Sequence, residues 1–202
     1  MRITAEAKSA TRERILDAAS RLFRSKGWEA TTTRDIAVAA GIASGTLFNY
    51  FETKEAVAAT LISDALTVQA EAAGSLEESL FSLIWAGLRS LRRLRGLLAA
   101  AAETIFSPLA RTRVESPGDS IRMKQLEAMQ ALAALHRYTA PLSPLTLQLY
   151  WTLYLGVFSF WAADESPHQE DTLALLDQSL KLFVASLSAE SKGDRRRVRE
   201  TK

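Results

Sequence analysis

The sequence predicts an all-α protein of about nine helices, with a three-helix amino-terminal head, a carboxy-terminal helical bundle and a two-fold dimer. Apolar residues recur at intervals of three and four along most of the 202 residues, which is the period of a helix. Near the amino terminus, a few residues that include a glycine separate two short helical runs. A long apolar run near the carboxy terminus is typical of a buried helix.

Composition limits the class of protein. Hydrophobic residues make up 48% of the chain, which is enough for a core in one large or two modest domains. The chain contains no cysteine, so disulfides and cysteine-ligated metals are excluded. The first residues lack the apolar segment of a secretory signal, and we therefore expect a cytoplasmic protein.

Charge is distributed unevenly along the chain. Residues 1–60 carry nine basic and seven acidic groups, a net charge of +2, whereas residues 61–191 carry ten against fourteen, a net charge of −4. Residues 192–202 are basic again, with six against two. A head at +2 is a weak electrostatic footprint for DNA, and dimerisation would double it.

The first segment, residues 1–10, has little apolar content and is predicted to be a flexible arm. The first helix is expected to begin at Thr11, which can cap it, and to bury a stripe that starts at Ile15. Gly27 ends this helix. We expect Trp28 to cover the core of the head.

The next segment has the pattern of two helices joined by a tight turn. Thr32 can cap the first of them, and Asp35 three positions later completes a capping box. Gly41 follows the last periodic residue, where helices often end. Leu47 and Phe51 then share one face of the second helix. A short turn with glycine between two such helices is typical of a helix-turn-helix motif, whose second helix enters the DNA major groove.

If Leu47 and Phe51 face inward, a polar and uncharged face of the second helix remains for a partner. Serine, threonine and asparagine can bond to base edges, asparagine favours adenine, and an apolar ring can contact a thymine methyl group. A helical hairpin whose polar face is only solvated is the alternative. The residues of this face are Ser44, Gly45, Thr46, Phe48 and Asn49.

From Arg12 to about Leu61, the sequence RERILDAASRLFRSKGWEATTTRDIAVAAGIASGTLFNYFETKEAV resembles the TetR family of transcriptional regulators. Two positions depart from the family pattern, because Ala43 stands where a serine commonly caps the recognition helix and Phe48 where a tyrosine is common. We expect the first change to weaken the cap by about 1 kcal/mol. The resemblance implies the following DNA-binding residues: Thr33, Arg34, Ser44, Gly45, Thr46, Phe48, Asn49, Tyr50 and Lys54.

The resemblance also implies a division of the chain. Residues 11–52 would form the helix-turn-helix DNA-binding domain, and residues 53–189 an effector-binding and dimerisation domain. Within the second domain, helical patterns run from Thr53 to Leu66, Leu76 to Arg95, Gly96 to Phe106 and Ile121 to Tyr138. Residues 107–119, rich in breakers, form a loop that could gate a cavity.

From Leu142 to Ala163 there are 22 residues without a charge. This run is long enough to span a bilayer, but Pro144 and several polar residues interrupt its apolar pattern. A helix that is apolar all round is more often buried on every side, and we prefer that interpretation. A membrane anchor is the alternative, and it predicts that the protein needs detergent.

The last helix is expected from about Glu170 to Leu187 with two apolar stripes. Leu175 and Leu182 form the minor stripe. We predict that the last two helices of each subunit build the dimer as a four-helix bundle, as the resemblance also implies. Residues 190–202 are predicted to be a disordered basic tail. The major stripe, predicted to form the dimer interface, comprises Leu173, Leu176, Leu180, Phe183 and Leu187.

An enzyme is not predicted. His136 and His168 are the only histidines, and no carboxylates accompany them at a metal-ligand spacing. The sequence has no phosphate-binding loop or nucleophile elbow, and we expect no metal and no cofactor.

The central helices carry bulky apolar residues that could line an effector pocket, although for each residue taken singly we prefer plain core packing, because periodicity does not distinguish a cavity wall from a filled interior. Polar selectivity could come from Tyr154, Gln148 or His136. The pocket itself is implied by the resemblance. Its candidate residues are Phe81, Trp85, Phe106, Met123, Met129, Trp151, Tyr154 and Phe158.

The sequence therefore predicts a ligand-responsive repressor that binds a palindromic DNA operator as a homodimer. An apolar or amphipathic small-molecule effector would change the separation of the two heads and lower the affinity for DNA. A transcriptional activator of the same fold and an all-α small-molecule carrier without specific DNA binding are the alternatives.

Overall fold

A computed structural model describes residues 4–66, 71–106, 119–138 and 142–200, with side chains for all of these except 102–106 and 188–200. The predicted loop at 107–119 therefore lies outside the described residues, except for Asp119, which begins a helix. The all-α prediction is confirmed, since the described residues contain helices and no strand. The nine α-helices of this part of the chain are α1 (Ala5–Ser25), α2 (Thr33–Ala39), α3 (Ser44–Phe48), α4 (Lys54–Ala65), α5 (Leu76–Ser90), α6 (Arg95–Phe106), α7 (Asp119–Leu135), α8 (Pro144–Ala163) and α9 (Glu170–Glu200).

The first of two compact units comprises Met1–Leu66 and Leu91–Ile121. In it α1 packs on α2 and α4, α2 packs on α3, and α6 packs on α4 and α1. Trp28 is 5% exposed and its ring lies 5.3 Å from that of Phe23, which agrees with its expected place over the core of the head. Helices α4 and α6, which the sequence assigns to the second domain, thus pack in the unit that carries the head.

The second unit comprises Thr67–Ser90 and Arg122–Lys202, and in it α5, α8 and α9 pack against one another. Its core includes apolar side chains of all three helices, and α8 contributes five buried aromatic residues. Asp164 accepts hydrogen bonds from the backbone N–H groups of Ser166 and Thr172 and from the Thr172 hydroxyl, and these bonds fix the turn between α8 and α9. The Thr172 and Ser166 side chains and the backbone bonds hold the pKa of Asp164 well below its usual range.

Helix α1 begins earlier than the sequence analysis expects. The Oγ1 atom of Thr4 accepts a hydrogen bond from the backbone N–H of Ala7 at 3.2 Å and caps the helix. Thr11, the expected cap, donates instead to the carbonyl of Ala7 within the helix at 2.9 Å. Residues 5–10 are therefore helical and not an arm, because alanine, glutamate and lysine in this stretch are good helix formers behind a threonine cap.

Two other boundaries differ from the expected ones. The run from Leu76 to Arg95 is interrupted at Leu91, where α5 has ended and a short 3₁₀ turn, Arg92–Leu94, leads into α6. At the other end, α9 continues to Glu200 through most of the stretch predicted to be disordered. Glutamate, lysine and arginine are good helix formers, and they allow α9 to continue without an apolar face.

Candidate functional site

The turn between α2 and α3 sets the direction of the exposed helix. Gly41 has φ 68°, a left-handed conformation that side chains other than glycine rarely adopt. The N–H of Gly41 donates to the carbonyl of Val38 at 3.1 Å, and that of Ile42 donates to Ala37 at 3.0 Å. These bonds close the end of α2 and allow the chain to reverse within a few residues.

The two helices start with caps of different quality. Thr32 and Asp35 form the predicted capping box at α2, since each side chain accepts from the other residue's backbone N–H. Ala43 precedes α3 and makes no side-chain cap bond, as its missing hydroxyl predicts. Packing of Leu47, which is 0% exposed, and Phe51, 7% exposed, therefore holds α3 in place.

The predicted recognition face lies at the surface of the first unit. Ser44, Gly45 and Asn49 are exposed, Phe48 is 50% exposed, and Thr46 is half-buried. No heavy atom lies within 4 Å of a Cβ placed on Gly45, so the backbone there is open to approach. This face presents hydroxyl and amide groups and one aromatic ring, and the predicted base contacts would use these groups.

The predicted phosphate-binding residues are placed less uniformly. Arg34 is exposed, whereas Thr33 and Tyr50 are half-buried. Val38 is 73% exposed beside the turn, although it is not among the residues predicted to lie at this surface. Its position opposite Ile36 on α2 is the signal that would have identified it.

Lys54 is engaged within the head. Its Nζ donates to the carbonyl oxygen of Trp28 at 2.9 Å and lies 4.1 Å from the centroid of the Trp28 ring. The side chain therefore ties the start of α4 to the segment after α1. Two of the three ammonium hydrogens remain for another acceptor.

Asp35 connects the start of α2 to the end of α1. One carboxylate oxygen accepts from Lys26 Nζ at 2.7 Å, from the Thr32 backbone N–H at 2.9 Å and from the Thr32 hydroxyl at 2.8 Å. The hydrogen bond from Lys26, followed by those from Thr32, lowers the pKa of Asp35 to about 2. A charged carboxylate is therefore part of the capped state of α2.

In the second unit, part of the predicted effector pocket is brought together. Trp151 stacks on Tyr154 with ring centroids 5.4 Å apart, and Phe158 lies 6.0 Å from Tyr154. Met129 is also buried, at 0% exposure.

Other pocket candidates do not join this buried group. Met123 is 60% exposed on α7, which removes it from any interior wall, because it lies on the solvent side of the helix. Phe81 and Trp85 are half-buried on α5, and the side chain of Phe106 lies outside the described residues.

The polar residues predicted for the pocket also lie in different environments. Gln148 is exposed and accepts from Arg122 at 2.9 Å, and the Nε2 atom of His136 is 2.9 Å from the Ser79 hydroxyl. Tyr154 is buried, and near it lies Gln125, a buried residue that the sequence analysis does not name. Gln125 shares the face of Ile121 and Met129 on α7, and this buried position is the signal that would have found it.

The major stripe of α9, predicted to form the dimer interface, is mostly buried within its own chain. Four of its five residues face the core of their own chain, and Leu173 is half-buried. These four cannot also present surface to a second subunit, since the helix has already packed this stripe against α5 and α8. They are Leu176, Leu180, Phe183 and Leu187, all at 2% exposure or less.

The minor stripe of α9 is the exposed one. Leu182 is 74% exposed and Leu175 is 36% exposed. Helix α8 also leaves apolar side chains at the surface, with Leu145 at 80%, Leu149 at 50% and Phe160 at 43% exposure. The expectation that α8 is buried on every side is therefore wrong within a single chain. Both helices keep apolar surface that their own subunit does not cover.

No group of three or more histidine, cysteine, aspartate or glutamate residues in the described part of the chain could hold a metal ion. Among the described helices, α8 included, none combines the length and hydropathy needed to cross a bilayer.

Comparison with known proteins places the head in a family. The model described as "Bacterial regulatory proteins, tetR family" matches residues 15–61. The transcriptional repressor KstR2 of Rhodococcus jostii is 37% identical over 98 residues, covering 48% of this chain and 45% of that protein. KstR2 of Mycolicibacterium smegmatis is 42% identical over 55 residues, 27% of each chain. The chain thus spans less than half the length of these relatives.

Solved structures match over nearly the whole chain. A TetR transcriptional regulator from Rhodococcus sp. RHA1 has a TM-score of 0.67 at 20% identity, covering 90% of this chain and 98% of that one. The Thermus thermophilus FadR, a TetR-family repressor in complex with lauroyl-CoA, has a TM-score of 0.65 at 25% identity. This match covers 86% of this chain and 93% of FadR, so the likeness extends beyond the head.

Proposed function

Because the chain belongs to the TetR family of transcriptional regulators, we propose that it is a repressor that binds a palindromic operator as a homodimer and leaves it when a small molecule binds. The observation that carries the proposal is the exposed, polar and uncharged face of α3 on a firmly packed head. The named relatives are repressors, which supports the direction of regulation. As its operator would be chromosomal DNA, we place the protein in the cytoplasm.

We assign base contacts to Ser44, Gly45, Thr46, Phe48 and Asn49. Of these, Asn49 is exposed at the carboxyl end of α3 and has the amide that pairs with adenine in the major groove. Contacts to the phosphate backbone are assigned to Thr33, Arg34, Tyr50 and Lys54, of which Arg34 is the most accessible. Phosphate contacts would position the head, and base contacts would give it specificity.

Dimerisation is assigned to the exposed stripes of α8 and α9. Apolar side chains of this size are seldom left in water along two neighbouring helices unless another surface covers them. Two copies of the pair α8 and α9 would form a four-helix bundle about a two-fold axis. The residues proposed to face the second subunit are Leu145, Leu149, Phe160, Leu175 and Leu182.

The effector is proposed to bind in the second unit beside the aromatic rings of α8. The bound lauroyl-CoA of the Thermus thermophilus FadR supports an amphipathic ligand. A ligand that prefers a different separation of the two heads lowers the affinity for DNA by its differential affinity for the two states. A ratio of about 100-fold, near 2.7 kcal/mol, would switch operator occupancy.

The direct test is selection of bound fragments from random duplex DNA, followed by affinity measurements at two salt concentrations. We expect a near-palindrome whose affinity falls as salt rises, because phosphate contacts release counterions. A variant with Arg34→Ala should enrich the same sequence but show a shallower salt dependence. Failure to enrich any sequence would favour the carrier alternative. Placing the selected site within a promoter and measuring transcription would separate a repressor from an activator.

A further inference from the structure

Helix α8 leaves one line of residues at the surface of the second unit. Leu145 is 80%, Leu149 is 50% and Phe160 is 43% exposed, and Gly156 is exposed between the last two. At about 100° per residue, these four positions fall within a sector of about 60° around the helix. Large apolar side chains therefore flank the glycine on both sides along the line.

Gly156 is not explained by its own chain. It lies inside α8 and its φ is not in the left-handed region, so the backbone there does not require glycine. No heavy atom of the described residues lies within 4 Å of a Cβ placed on it, so a lack of space does not require glycine either. Glycine inside a helix is destabilising relative to alanine. What favours glycine at this position is a backbone that approaches closely from outside the chain.

The face around Gly156 is suited to a second copy of itself. Helix α8 has no charged residue from Pro144 to Ala163, although residues 61–191 carry a net charge of −4. At a two-fold axis each side chain meets the same side chain of the other subunit, so a charged residue there would face its like. An uncharged helix is therefore the part of an acidic body that two copies can bring together without repulsion.

Close contact between two helices needs a small residue on each of them. Helix axes usually pack about 8–10 Å apart, and large side chains at the point of contact hold them at the longer distances. In a two-fold pair, one glycine per chain supplies both small residues only if it lies at the axis. Away from the axis, Gly156 would face a different residue of the other subunit.

We propose that the two-fold axis of the dimer passes beside Gly156, where α8 of one subunit crosses α8 of the other with the two glycines in contact. Leu149 and Phe160 then pack against the other subunit on either side of this crossing. The inference rests on the proposed function, because it locates the axis of the homodimer assigned there.

Single-cysteine variants report which residues meet their own copies, since the natural chain has no cysteine. A disulfide requires Cα atoms about 4.4–6.8 Å apart. We expect the full chain with Gly156→Cys to form a disulfide-linked dimer under mild oxidation, measured by non-reducing gel electrophoresis. Leu145→Cys is the control, because it is 80% exposed but lies about 16 Å along α8 from the crossing. This control should stay unlinked.

Three results of the cysteine experiment would overturn the inference. The first is a Gly156→Cys chain that stays unlinked. The second is equal linking of Gly156→Cys and Leu145→Cys, which would indicate random collision. The third is a disulfide that forms only in a mixture of Gly156→Cys and Thr152→Cys chains, since it would place the axis between these two residues.

Gly156→Ala separates the contact between subunits from the stability of the helix. Alanine favours the helix of each chain, but it adds two methyl groups per dimer at the closest approach. We expect the dimer dissociation constant, measured by sedimentation, to rise about tenfold while circular dichroism shows the helix retained. Gly96→Ala is the matched control, because a Cβ at Gly96 also meets no atom within 4 Å, and it should leave the constant unchanged. An unchanged constant for Gly156→Ala would contradict the crossing.

The crossing, the dimer and the operator can fail separately. A natural chain that sediments as a monomer would overturn the crossing together with the proposed dimer. A dimeric natural chain without the two effects at Gly156 would overturn the crossing alone. In that case the operator selection would still test the proposed repressor.

Discussion

At the scale of single residues, Lys54 shows how a residue assigned to DNA also has a structural role. Its ammonium group bonds to the Trp28 carbonyl and lies over the Trp28 ring, so its loss affects the head before any DNA is present. A cation over an aromatic ring contributes about 0.5–1 kcal/mol at accessible sites. The hydrogen bond adds to this contribution.

We expect Lys54→Ala to lower the free energy of unfolding by about 1 kcal/mol. We also expect it to reduce the free energy of binding to every duplex by a similar amount, whatever the sequence. Thermal melting and duplex titrations at several salt concentrations measure the two effects. Lys54→Gln is the control, because it retains a donor but no charge. If both variants keep the salt dependence of the natural chain, the phosphate assignment of Lys54 is wrong.

Asp35 makes the stability of the head depend on pH. Its pKa is lowered to about 2 in the folded chain, against about 3.9 in an unfolded one, so the folded state holds its proton less tightly. The stabilisation is present above the unfolded pKa and is lost as pH falls from about 4 towards 2. We expect Asp35→Asn to melt earlier than the natural chain at pH 7 and the difference to shrink below pH 4. A constant difference across this range would contradict the assignment.

Asn49 is the residue on which base preference is proposed to depend. We expect Asn49→Ala to relax the sequence preference at one position of each half-site and to cost about 1–3 kcal/mol on the selected operator. Repeating the selection with the variant measures the first effect, and titration measures the second. Retention of both preference and affinity would show that Asn49 does not contact a base.

At the scale of helices, local signals gave most of the architecture. The capping box at Thr32 and the glycine turn after α2 are read within a few residues, and both are present in the structure. The start of α1 was misplaced because two threonines can cap, and the sequence does not say which one does. The break at Leu91 carries no glycine or proline, and so it was missed.

The two apolar stripes of α9 show what helical periodicity cannot predict. A repeat of three and four identifies a stripe that must be covered, but it does not identify the covering surface. In the structure the stripe with Leu176 and Leu180 faces its own chain, and the stripe with Leu182 stays exposed. The same limit applies to Gln125, since a polar residue on a buried face is visible only once the face is known.

The exposed stripes give a prediction for α8 and α9. Gly156 is exposed on the face of α8 that carries Leu149 and Phe160. Leu182→Glu and Gly156→Glu should therefore convert a dimer into monomers, because each would put a charge into an apolar interface. No heavy atom lies within 4 Å of a Cβ on Gly156, so the change is tolerated in one chain. Sedimentation measures the mass and circular dichroism the retained helix. Ala174→Glu, exposed about a quarter turn from Leu182, is the control and should stay dimeric.

At the scale of the whole molecule, a dimeric DNA-binding protein requires a fixed distance between the two half-sites of its operator. Two recognition helices reach successive major grooves about 34–36 Å apart or at multiples of this distance. We expect five base pairs inserted at the centre of the selected operator to reduce affinity about 100-fold, since the second half-site moves to the opposite face of the duplex. Titration of the selected operator and of the operator with the insertion measures this loss of affinity. Equal affinity for both would indicate that the heads bind separately.

The division of the chain into units interleaved along the sequence has a consequence during synthesis. The first unit needs α6, whose buried Leu97, Leu98 and Ala101 come after α5 of the second unit. A nascent chain therefore cannot complete the core of the first unit when residue 66 leaves the ribosome, because α6 has not yet been synthesised. The apolar face of α5 likewise stays exposed until α8 and α9, on which it packs, have been synthesised. The head is consequently not a domain that can be moved by itself into another protein. A fragment that ends after α4 lacks a helix that packs on both α1 and α4, and fusions cut at that point would carry an open core.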